Sequence, residues 1–177
     1  MVKTPCGERA RRGAPVVTGM KCSAPIERVW NALMFYEQIP HRPPLHLRLL
    51  LPVPLRAEGP RSAVGDETRC VYEGGHVVKR ATRVDRWRSY RFDVVEQNLA
   101  IGGGIRLVSG EYRLSELPGG TTRIELETCY VGSRSPAWLW RAVEAIVCHL
   151  FHRHILGAIR QDVESAQPRV DAIRSLR

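Results

Sequence analysis

Apolar residues recur along the chain with two periods, and the switches between them mark the elements. In APVVTGMKC (Ala14–Cys22) apolar and polar positions roughly alternate, the period of a strand. Behind it Ile26, Val29, Trp30 and Leu33 recur at i, i+3, i+4 and i+7, which is one buried face of a helix. Ser23 offers that helix an N-cap, Pro25 fits its first turn, and the helix should end near Pro40. Residues 40–60 then carry prolines at 40, 43, 44, 52, 54 and 60 among many leucines. Proline at this density excludes a regular helix or a central strand. The segment is expected to be a packed connection or a lid across an opening.

Strand-like runs follow. Thr68, Cys70 and Tyr72 share a face opposite Glu67, Arg69 and Glu73, and Tyr90, Phe92 and Val94 oppose Arg91 and Asp93. In HVVKRATRV one face carries His76, Val78, Arg80, Thr82 and Val84, and the other Val77, Lys79, Ala81 and Arg83. IRLVSGEYRL comes after Gly102–Gly104, and Pro118-Gly119-Gly120 is a hairpin signal. Beyond it Thr122, Ile124, Leu126, Thr128 and Tyr130 alternate with Arg123, Glu125, Glu127 and Cys129. One apolar and one charged face per strand predicts an antiparallel sheet with one side in water.

The period then lengthens for the rest of the chain. Ser135 is a candidate N-cap, Pro136 suits the first helical position, and helix formers run to about Ser165. At 1.5 Å per residue this helix is about 45 Å long, enough to cross the sheet. Leu139, Val143, Ile146, Val147, Leu150 and His154 form one apolar stripe on it. Trp138, Ala145, Cys148, His152, Ile155, Ile159 and Val163 form another, roughly opposite. A helix apolar on two sides is covered on both. The first stripe is expected to face the sheet, with His154 as a polar group on the cavity wall and His149 and His152 at a surface or interface.

The order, a strand, a short helix, a Pro-rich connection, consecutive antiparallel strands and a long final helix, resembles the SRPBCC superfamily. Its members include START-like lipid-transfer domains, pollen-allergen-like proteins and polyketide cyclases. SAPIERVWNALMFYEQIP (Ser23–Pro40), VGDETRCVYE (Val64–Glu73), RVDRWRSYRFDV (Arg83–Val94), GEYRLSELPGGTTRIEL (Gly110–Leu126) and the last helix carry the resemblance. It implies an α+β helix-grip fold, a curved antiparallel sheet wrapped around the C-terminal helix with an apolar tunnel between them. The division expected is a basic leader at 1–14, one domain at 15–166 and a tail at 167–177.

With that fold, the candidate ligand-binding residues are Tyr72, Tyr90, Tyr112 and Tyr130 from the apolar strand faces, Leu150 and His154 from the helix, and Arg80. An unpaired buried charge is very costly, so an inward Arg80 would need a carboxylate, and its planar donor fork would suit an acidic head group. The alternatives are that Arg80 pairs with a nearby Glu, or that its strand is phased the other way. The leading expectation is a binding module for a small hydrophobic molecule: a lipid, a polyketide or another aromatic compound. A polyketide cyclase or dehydratase-like enzyme, using His154, Arg80 or a Tyr for proton transfer, is the second reading. A docking module is the third.

The composition narrows the field. The 177 residues suit one domain. The net charge of +9 comes from 24 Arg and only 3 Lys, dispersed rather than gathered in a stripe, so nucleic-acid binding is not expected. A basic surface is compatible with peripheral membrane contact, and the second helix stripe with a homodimer through the C-terminal helix. Cysteines 6, 22, 70, 129 and 148 are widely spaced without a CxxC pair, which predicts reduced thiols and a cytoplasmic setting. The N-terminus has no apolar run of signal-peptide length, and no uninterrupted apolar run spans a bilayer. Cys148, His149 and His152 have partial ligand spacing, but nothing elsewhere completes the set, so no metal is expected. GGGIRLVSG lies between strands rather than before a helix, and no other phosphate or dinucleotide fingerprint appears, so no cofactor is expected either.

Overall fold

The computed structural model describes residues 15–35, 53–101 and 104–165. The elements run β1 (Val16–Cys22), α1 (Ile26–Phe35), β2 (Pro54–Glu58), β3 (Glu67–Tyr72), β4 (Gly75–Asp85), β5 (Ser89–Asn98), β6 (Ile105–Leu117), β7 (Thr121–Gly132) and α2 (Ala137–Ser165). All seven strands join one antiparallel sheet in the order β1-β7-β6-β5-β4-β3-β2. Consecutive strands from β2 to β7 are neighbours, and β1 closes on β7 to leave β1 and β2 as the edges. This is the α+β helix-grip arrangement, with the short helix after the first strand. The expected leader, the tail and most of the Pro-rich connection lie outside the described residues.

The predicted face of α1 is the buried one: Ile26, Val29, Trp30 and Leu33 all enter the main core with Ile155, Leu156, Ile159 and Val163 of α2. Ser23 is not its cap, however. The Pro25 carbonyl accepts from the N–H groups of Arg28 and Val29, while the Ser23 N–H donates to the Glu164 carboxylate near the far end of α2. The end of the Pro-rich segment is also more regular than expected, since Pro54–Glu58 pairs with β3 as an edge strand. Its proline stands at the first position, where a missing N–H does least harm to a ladder.

Period-two reading holds on β3, β5 and β7 and breaks on β4. Val77 and Ala81 are buried, so the odd-numbered residues of β4 face inward and Arg80 faces out. The register skips Thr82 between Ala81 and Arg83, and this bulge returns Val84 to the core side. An apolar residue on each phase, Val78 and Val84 against Val77 and Ala81, is what made the even face look like the inner one. The outer face is not wholly in water either. Glu111 and Glu127 are buried there, and Arg113 reaches both, at 3.2 Å and 2.8 Å.

The second helix stripe packs inward, and of the first only Val147 is buried. Cys148, His152, Ile155, Ile159 and Val163 are buried, whereas Leu139, Val143 and Ile146 are exposed, as is Trp138 at the start of the buried row. The helix is long and apolar enough to span a membrane by composition, and its buried face lies on β1, β7 and α1. Among the cysteines, Cys22, Cys70 and Cys148 are buried thiols outside any disulfide, and Cys129 is disulfide-bonded, a departure from the all-reduced chain that the spacing predicts.

Candidate functional site

Between the sheet and α2 lies a narrow cleft of about 490 Å³, counting the space at its mouth. Tyr72, Val77, Phe92, Leu107, Tyr112 and Leu126 supply most of its sheet wall, and Phe151 and Ile155 its helix wall. Its polar groups are Lys79, Ser109, Thr128 and the tyrosine hydroxyls. A second hollow of about 350 Å³, again counting open space at its mouth, lies against α1, lined by Leu33, Met34, Arg61, Thr68 and Tyr90. Lys79, Phe92 and Tyr112 border both spaces and so form the partition between them.

That partition has a local cause. Phe92 on β5 stands opposite Gly110 on β6. A Cβ built at Gly110 would lie 2.5 Å from the Phe92 ring, so the missing side chain is what lets the ring lie flat across the sheet. The ring is flanked by Tyr90 and Tyr112 at centroid distances of 6.1 Å and 6.4 Å, tilted rather than stacked. The Lys79 ammonium sits 5.0 Å over the same ring, where the negative π face favours a cation.

Of the expected site residues, Tyr72, Tyr90 and Tyr112 are at these cavities. Tyr130 is buried in a separate cluster with Val16, Ile105, Val147 and Cys148, where burial and then the neighbouring Cys148 and Glu144 push its hydroxyl up to about 12. Arg80 has a side chain 53% exposed and donates to Glu67 at 2.6 Å, which is the structural pairing named as its alternative. Leu150 and His154 are only partly buried and line neither cavity, because α2 presents Phe151 and Ile155 there instead. Lys79 was missed from the sequence; the correct phase of β4 would have found it, since it lies between Val77 and Ala81.

His152 was expected near the surface and is 1% exposed. Its Nδ1 meets the Thr18 hydroxyl at 3.0 Å and its Nε2 the Thr128 hydroxyl at 2.8 Å. Thr18 also meets Nδ1 of exposed His149 at 2.8 Å. Burial, with a smaller contribution from His149, lowers the His152 pKa to about 4, so this imidazole is neutral at physiological pH. Among the described residues no three His, Cys, Asp or Glu side chains gather as metal ligands.

No family model and no curated protein matches the sequence. Solved structures do match its fold. XoxI from Bacillus cereus superposes with a TM-score of 0.64 at 13% identity, covering 87% of this chain and 98% of its own. The Zhui aromatase/cyclase from Streptomyces sp. R1128 gives 0.63 at 18%, covering 85% and 93%. A START superfamily protein from Mycobacterium smegmatis gives 0.61 at 11%, covering 88% and 100%. At such identities the likeness is one of fold, and with the sheet order and gripped helix described above it shows that this chain has the helix-grip fold of those proteins.

Proposed function

We propose that the chain binds a small apolar molecule, of lipid or aromatic polyketide character, in the cleft between sheet and α2. The observation that carries this reading is the cleft's composition: apolar walls interrupted by a few polar groups, Lys79, Ser109, Tyr112 and Thr128, on one side. Tyr72, Tyr90 and Tyr112 would orient the ligand, and Lys79 would favour one with a negative or strongly electron-rich end. The cleft is narrow, so entry of a ring system requires the Phe92 partition to turn and join the two hollows. Similarity to an aromatase/cyclase supports the aromatic class of ligand. Native mass spectrometry of the purified protein, followed by denaturing extraction, tests the reading. A stoichiometric apolar mass is expected; a protein that is empty and takes up neither fatty acids nor aromatic polyketides overturns it.

The outer face of α2 favours a second reading, association of two copies. Leu139 (50% exposed), Val143 and Ile146 (58%) form a row of uncovered apolar side chains over the first half of the helix, with exposed Trp138 beside it at the helix start. Sedimentation of the wild type and of Ile146→Glu tests it. A dimer that the variant abolishes is expected, and a wild type that stays monomeric at high micromolar concentration refutes it.

A further inference from the structure

His149, Thr18, His152 and Thr128 form one continuous series of contacts, at 2.8, 3.0 and 2.8 Å, running from an exposed imidazole to the cavity wall. The geometry points to a relay in which surface His149 sets whether Thr128 offers the cavity a hydrogen-bond donor or an acceptor, fitting the cleft to apolar molecules that carry a carbonyl group. This rests on the cavity reading above for its ligand, though not for the relay itself.

The argument is a count of protons. Each threonine hydroxyl has one hydrogen, and neutral His152 has one, on Nδ1 or Nε2. When His149 is protonated its Nδ1–H must donate to Thr18. Thr18 then donates to His152 Nδ1, the His152 proton sits on Nε2 and donates to Thr128, and the Thr128 hydrogen is left free to meet a ligand oxygen. When His149 Nδ1 is bare, Thr18 can donate outward instead. His152 then donates from Nδ1, its Nε2 accepts from Thr128, and only oxygen lone pairs face the cavity. In the switch the His152 Nδ1–H bond breaks and an Nε2–H bond forms: Nδ1 passes its proton to Thr18 as Thr18 passes its own to His149, while Nε2 takes the Thr128 hydroxyl proton, which water in the cleft restores, so His149 alone gains a proton and His152 stays neutral.

The surroundings leave His149 to control the direction. β1 carries one charged residue, Lys21, and β7 carries Arg123, Glu125 and Glu127, all alternating to the sheet face opposite Thr18 and Thr128. On α2 the nearest charge following His149 is exposed Arg153, one turn on. The burial that keeps His152 neutral confines it to switching tautomer rather than gaining charge.

Long-range ¹H–¹⁵N spectra of the imidazoles decide the relay on the protein alone. As the pH falls from about 8 to about 5.5, His152 is expected to stay neutral and move to the Nε2–H tautomer, and to lose that response in His149→Gln. A His152 tautomer indifferent to His149 overturns the relay. Calorimetry with 2-acetylnaphthalene and carbonyl-free 2-isopropylnaphthalene reads the cavity end. The ketone should tighten about 2- to 10-fold over the same pH range, the worth of one neutral hydrogen bond, and the hydrocarbon should not change. Thr128→Val, which keeps the shape, should abolish the ketone's response. A ketone response that survives in Thr128→Val or His149→Gln overturns the assignment. If neither naphthalene binds while His152 still responds, the relay stands and the cavity reading fails.

Discussion

Two residues show how much a single side chain decides here. His152 has a folded pKa of about 4 against an ordinary 6.5, so between those values the unfolded chain binds a proton that the folded one refuses. Stability therefore rises with pH in that window, is complete above about 6.5, and falls by about 3 kcal/mol as the pH drops to 4. Urea titrations across this range should show the loss, and His152→Gln should flatten the His152 part of it. Gly110 acts through what it lacks. Gly110→Ala would drive a methyl group into the Phe92 ring, which cannot retreat without disturbing Tyr90 and Tyr112. The expected cost is about 1–3 kcal/mol, as for other overpacked cores, with a shift in near-ultraviolet dichroism from the displaced aromatics.

At the scale of elements, α2 makes the clearest prediction. Ile159→Ala removes a side chain of 0% exposure and should cost about 2–5 kcal/mol in chemical denaturation, whereas Ile146→Ala should fall within about 0.5 kcal/mol of wild type. The reverse result would mean that the helix packs on its other stripe. That choice of stripe was not legible in the sequence. Leu139, Val143 and Ile146 are as apolar as Ile155, Ile159 and Val163, and a helical wheel cannot tell which row meets a sheet. Elements whose two faces differ in kind were legible: α1 from Ile26, Val29, Trp30 and Leu33, and β7 from Thr122, Ile124 and Leu126 against Arg123 and Glu125. β4 failed for a related reason. Its bulge at Thr82 changes phase within the strand, so no single alternation describes both Ala81 and Val84. The cavity residues divided along the same line, with the tyrosines of β3, β5 and β6 found and Lys79 hidden by the phase error. His152 and its threonine partners are far apart in sequence, and only the pairing of β1 with β7 beneath α2 brings Thr18 and Thr128 to it.

At the scale of the whole molecule, the strand order puts the cleft where the sheet's long strands curve beneath α2, with α1 packed into the main core beside it through Val29, Trp30 and Leu33. The same packing grips the helix unevenly. Its second half is enclosed by α1 and the sheet, with Leu156, Ala158, Ile159 and Val163 all buried, while its first half rests on one side and bares Trp138, Leu139 and Val143. Cooperative opening in proteins begins where few buried contacts hold the backbone. Amide exchange should therefore be fast in the turns around Val143, slow around Ile159, and graded between. The helix is expected to come loose from its first turn, like a latch whose hinge is the buried Leu156.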